Sequence, residues 1–167
     1  MFLIFSFYDI RVWENIFPQR PFPEELFIAG KKYKGDEFSD DVERIFWRKQ
    51  WRDVALNDWD YIGKSRFIYT EFMHPKAFHY YVPLLLYEAL PGKDNLDLYD
   101  AVRALLPYKD DKGWWWLEYF SSFTREQRFF INKYIYGLNE IISDCNWEMY
   151  STKKLILIAI NKYWYID

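Results

Sequence analysis

The sequence predicts an all-α fold, a single compact bundle of about six helices. Apolar residues recur at helical spacing in several separate stretches. Capping residues or prolines open most of those stretches. No segment sustains the strict alternation of a half-buried strand, and residues 66–70 alternate only weakly. The chain has 167 residues, a natural size for one domain that buries about two-thirds of its unfolded surface. With 51% apolar and 28% charged residues it is not a disordered chain.

Taken in order, residues 1–8 are apolar and read as a strand or the start of a buried helix. They lack the basic segment and small-residue cleavage site of a secretory signal. Asp9 caps a short helix over 10–17 that sets Ile10, Trp13, Ile16 and Phe17 on one face. Residues 18–36 hold three prolines, two glycines and Lys31, Lys32 and Lys34, and predict a surface loop with room for one helical turn at 24–29. Asp40 and Glu43 have capping-box spacing, so the next helix is expected to start near Asp40. Its stripe of Val42, Ile45 and Phe46 runs on through Trp51, Val54 and Ala55 until residues 57–60 end it.

Pro75 suits a first helical turn and opens the most hydrophobic helix, which Pro91 and Gly92 close. Pro83 lies inside it and is expected to kink it by removing one hydrogen bond. Asp94 and Asp97 open a helix that buries Leu98, Ala101, Val102, Leu105 and Leu106 before Pro107 ends it. Thr124 and Gln127 form the clearest capping box in the chain. The helix after it sets Phe130, Ile131, Tyr134, Ile135, Leu138, Ile141 and Ile142 along one stripe. A last helix over 152–164 is apolar almost all round, which predicts a central position.

Two stretches bear a family resemblance. Residues 72–83, with Phe72, Pro75, Ala77, Phe78, Tyr80, Tyr81 and Pro83, resemble a block of the form F-x-x-P-x-A-F-x-Y-Y-x-P. Residues 120–127, with Phe120, Ser121, Phe123, Thr124 and Gln127, resemble the F-S-x-[LF]-T-x-x-Q block that follows it, and Ala159, Tyr163 and Trp164 resemble the A-x-x-x-Y-W ending. The family is a set of small bacterial proteins with a domain of unknown function, and the likeness covers about residues 39–165. It implies one helical domain and carries no catalytic residue.

Chemistry-bearing motifs are sparse. His74 and His79, the two histidines, stand five apart, which on a helix turns them about 140° from each other, so they do not form the i, i+4 pair of a metal site. His74, ahead of Pro75, reads as a cap. The single cysteine, Cys145, excludes an intramolecular disulfide and reads as a small buried residue. No phosphate-cradling glycine loop, paired-cysteine zinc motif, nucleophile elbow or dinucleotide fingerprint is present. No catalytic residue, metal or cofactor is therefore expected, and the balance is against an enzyme.

Two features point outward instead. Asp36, Glu37, Asp40 and Asp41, with Asp58 and Asp60, make an acidic group in a chain of net charge −3. Carboxylates favour a helix N-terminus, and they also steer basic partners. Aromatics reach 23% of the chain, with nine Trp. Trp114, Trp115 and Trp116 are adjacent, so one core cannot take all three, and with Trp59 they are candidate binding anchors. Basic residues interleave with aromatics at Arg44, Arg48, Lys49 and Arg52, but the neighbouring acids weigh against nucleic acid.

The function expected is a cytoplasmic protein-binding module, in its most concrete form an immunity or antitoxin-type protein that neutralises a basic bacterial toxin. No membrane partner is expected, because no run approaches the roughly 18 apolar residues that span a bilayer. One alternative is a small-molecule-binding protein or enzyme with a pocket beside Pro83, offering His79, Tyr80, Tyr81 and Tyr87. Another is a structural subunit of a larger assembly.

Overall fold

The computed structural model describes residues 6–30, 37–54, 72–93, 98–108, 110–142 and 147–165. These residues form an all-α structure of seven α-helices. They are α1 (Ile10–Ile16), α2 (Glu37–Phe46), α3 (Pro75–Glu88), α4 (Leu98–Ala104), α5 (Trp114–Ser121), α6 (Arg125–Ile141) and α7 (Trp147–Ile158). A 3₁₀ turn lies at Trp51–Asp53, and α7 runs on into a wider, π-type turn at Ala159–Tyr163. The chain divides into two compact units. The first comprises Met1–Phe17, Leu85–Pro107 and Phe123–Asp167, and the second comprises Pro18–Leu84 and Tyr108–Ser122.

In the first unit, α7 packs on α4 and α6, and α6 packs on α1. Asp9 caps α1 by accepting from the Arg11 amide at 3.0 Å. Thr124 and Gln127 close both hydrogen bonds of the capping box at the start of α6. Trp13 is fully buried, with ring centroids 4.8 Å from Phe130 and 5.5 Å from Tyr134, both edge-on. Edge-to-face contact suits the ring quadrupoles and adds to the gain from burying so much apolar area.

The last carbonyls of a helix have no partner within it. Here side chains from elsewhere in the unit supply those partners. The Tyr134 hydroxyl donates to the Leu86 carbonyl in the last turn of α3 at 2.9 Å. The Trp164 indole donates to Leu105 just past α4 at 2.7 Å, and the Gln127 amide donates to Ile16 at the end of α1 at 3.0 Å. Asn132, buried on α6, donates to the Trp164 carbonyl at 2.6 Å. Each such bond joins two segments distant in sequence and satisfies a group that burial would otherwise make costly. Much of the aromatic excess is thus interior, with the polar end of the ring spent on a helix terminus.

The second unit repeats the device. Tyr81, fully buried on α3, donates its hydroxyl to Phe46 at the end of α2 and contacts the Lys49 carbonyl at 3.3 Å. The Trp115 indole donates to Met73 at 2.9 Å. Leu26 to Ile28 run antiparallel to Phe72 to His74, tied by Ile28 to Phe72 at 2.8 Å and His74 to Leu26 at 2.9 Å.

Five local expectations change. The stretch 24–29 holds no helical turn; its Ile28 amide and Leu26 carbonyl bond to the 72–74 segment, and Leu26 is buried. Asp40 and Glu43 lie inside α2, whose described part already begins at Glu37. That helix does not run on to Val54, because Arg48 adopts a left-handed φ of 56° that breaks it, leaving Trp51 on a separate turn. Ile141, the final residue of α6, is 40% exposed while the rest of the α6 stripe is buried. The tryptophan string forms a helix, α5, that the sequence reading did not count.

The C-terminal helix packs on α4 and α6, and it and the turn after it bury Leu155, Ile156, Ala159 and Ile160 but leave Leu157 and Ile158 in solvent. α3 runs from Pro75 to Glu88 with the buried Pro83 inside it, a residue with no N–H to donate along the helix.

Candidate functional site

The binding candidates in the described residues all belong to the second unit. Glu37 and Asp40 are exposed in the first turn of α2. Asp41 pairs with Arg44 across one turn at 3.0 Å, an exposed contact worth little in energy. Asp36, Asp58, Trp59 and Asp60 lie outside the described residues, as does Cys145.

α5 resolves the three tryptophans into three environments, because successive side chains on a helix point about 100° apart. Trp116 is buried, its ring 5.5 Å from Phe120 and 5.7 Å from Tyr119. Trp115 is half-buried, with its ring 5.2 Å from Tyr119 and 5.7 Å from Phe78 and its indole nitrogen on Met73. Trp114 is 57% exposed, and Leu117, one turn on, is 53% exposed. Trp114 and Leu117 thus form an apolar pair on the solvent face of α5. Leu117 was not among the sequence candidates, although its i+3 spacing from Trp114 marks it once the helix is assigned.

The pocket candidates do not converge. Tyr80 donates its hydroxyl to the Gln19 carbonyl at 2.7 Å, and burial pushes its phenol up to about 12. Tyr81 is spent on the end of α2, and burial holds its phenol far above the ordinary tyrosine value. Tyr87 belongs to the first unit, where its hydroxyl donates to Tyr8 at 3.3 Å and the Lys93 ammonium lies 3.8 Å from its ring. The three hydroxyls therefore serve three different main-chain carbonyls. His79 is half-buried on α3. His74 caps α3 by accepting from the Lys76 amide at 3.3 Å, and its other ring nitrogen is 3.6 Å from Glu25.

The side-chain amide of Gln19 is covered at both nitrogen and oxygen and has no hydrogen-bond partner. It is a polar group in want of one. Among the described residues no cluster of three or more His, Cys, Asp or Glu is placed to hold a metal ion.

No family model, curated protein or solved structure matches the chain.

Proposed function

We propose that the protein is a protein-binding module whose second unit engages a basic partner, with Trp114 and Leu117 as the apolar anchor and the acidic start of α2 as the steering element. The observation that carries the reading is the exposure of Trp114 and Leu117 together on one face of α5. Large rigid side chains of this kind dominate binding energy once desolvated, while exposed carboxylates chiefly raise the association rate. An immunity or antitoxin-type role, neutralising a basic toxin, is the most specific form of the proposal. Asp36, Asp58, Trp59 and Asp60 are its remaining sequence candidates. A second reading, a small polar ligand on the second unit beside Tyr80, is favoured by the partnerless amide of Gln19.

The test places a photocrosslinking residue at position 114 and, as control, at the exposed Asn15. A specific, basic protein adduct is expected from position 114 alone. Trp114→Ala should then weaken that partner's binding by about tenfold or more. Glu37→Lys with Asp40→Lys should slow association and flatten its salt dependence. Equal adducts at both positions, or a partner indifferent to all these substitutions, would contradict the proposal. If the partner is a toxin, co-expression of the wild type protects cells and the Trp114→Ala protein protects them less.

A further inference from the structure

The C-terminal helix carries apolar residues on two opposite faces. Its inner face buries Leu155, Ile156, Ala159 and Ile160. On the other side Tyr150 is 55% exposed, Leu157 44% and Ile158 39%. At about 100° per residue, Tyr150, Lys154, Leu157 and Ile158 fall in one sector with Lys153 on its flank, and the exposed Lys162 follows in the π-type turn. Charge is segregated here as well. Residues 149–166 hold three lysines and no carboxylate, so all 25 acidic side chains of this net-negative protein lie elsewhere.

We propose that this face of α7 docks on an anionic lipid bilayer, the helix lying along the headgroup layer. Leu157 and Ile158 would enter the acyl boundary, Tyr150 would sit at headgroup level, and the lysine stems would lie along the apolar surface with their ammonium groups among lipid phosphates. Among the described residues no helix is long and apolar enough to cross a membrane, so the contact is one of surface and not of span. The expectation of no membrane partner rested on spanning length, which surface docking does not need.

Other occupants fit less well. A nucleic acid offers phosphates to the lysines but nothing to two aliphatic side chains at the centre of the stripe. A second copy, paired about a two-fold axis, would set the lysines of one helix against those of the other.

The experiment is flotation of the full chain with vesicles of phosphatidylcholine, with or without phosphatidylglycerol. The protein is expected to float with the phosphatidylglycerol vesicles and to be released by salt. Each lysine near an anionic surface is worth about fivefold in partitioning. Lys154→Glu with Lys162→Glu should therefore lower binding at least about tenfold, and Leu157→Asn with Ile158→Asn should lower it too. All four positions are exposed, so melting temperatures should hold. If the asparagine pair lowers the melting temperature, the lysine pair decides, since it leaves the apolar contacts untouched. Absence of flotation, equal binding to neutral vesicles, or wild-type binding by the lysine pair would overturn the proposal. So would a dimer that the asparagine pair dissolves, or a nucleic-acid complex, in a protein that does not float.

Discussion

Trp164→Ala is expected to destabilise the protein by about 3–5 kcal/mol, the range for deleting a large buried aromatic ring. Trp164 is 1% exposed and lies edge-on to Phe123 at 5.1 Å. Its indole nitrogen holds the Leu105 carbonyl at 2.7 Å, and its own carbonyl receives the Asn132 amide. The substitution opens a cavity and strips the end of α4 of its donor in the same step. Against a total stability of about 5–15 kcal/mol for a domain, the loss leaves little margin. Urea unfolding followed by circular dichroism measures it, and a loss below about 1 kcal/mol would contradict the packing described. Trp164→Phe keeps a ring against Phe123 and removes the donor, so it should cost less, about 1–3 kcal/mol.

Alkali is expected to unfold the protein steeply. Tyr119 and Tyr134 are fully buried, and burial raises both phenols well above the ordinary value of 10. Above pH 10 the unfolded chain releases these protons while the folded chain keeps them. The native state then binds more protons, so stability is fully present below the unfolded value and falls as pH rises towards the folded ones. Each such tyrosine contributes a slope of about 1.4 kcal/mol per pH unit, or roughly 3 kcal/mol for the two together. Tyr81 and the less buried Tyr80 act in the same direction. Tyrosinate absorbance should appear together with loss of helix, in one cooperative step. Smooth titration of these tyrosines near pH 10 with the helices intact would show that they are solvent-accessible.

Signals local in sequence were the legible ones. The cap at Asp9, the capping box at Thr124 and the start of α3 at Pro75 all depend on residues a few positions apart, and each stands as its residues imply. The end of α2 did not follow from periodicity, since the stripe from Val42 to Val54 continues through a left-handed residue at Arg48 that no side-chain pattern announces. The extended path of the 24–29 segment is not legible locally, because its hydrogen-bond partners lie more than forty residues on, at Phe72 and His74.

The same holds for function. Tyr80 and Tyr81 look like pocket chemistry in a motif, yet their hydroxyls are taken by Gln19 and Phe46, acceptors visible only in three dimensions. The tryptophan string at 114–116 could be singled out; which of the three stays in solvent, and that Leu117 stays there beside it, could not.

The central claim is that buried aromatic side chains hold this fold together by donating to helix ends as well as by filling space. It is tested most directly by single hydroxyl deletions that leave ring volume unchanged. Tyr134→Phe and Tyr81→Phe each remove a donor from a buried helix-terminal carbonyl, whereas Tyr136→Phe and Tyr150→Phe remove hydroxyls from side chains that are 45% and 55% exposed. Urea unfolding of the four variants should show losses of about 1–3 kcal/mol for the first two and less than about 0.5 kcal/mol for the others. Equal and small losses at all four positions would mean that the aromatic excess stabilises by packing alone, and would contradict the claim.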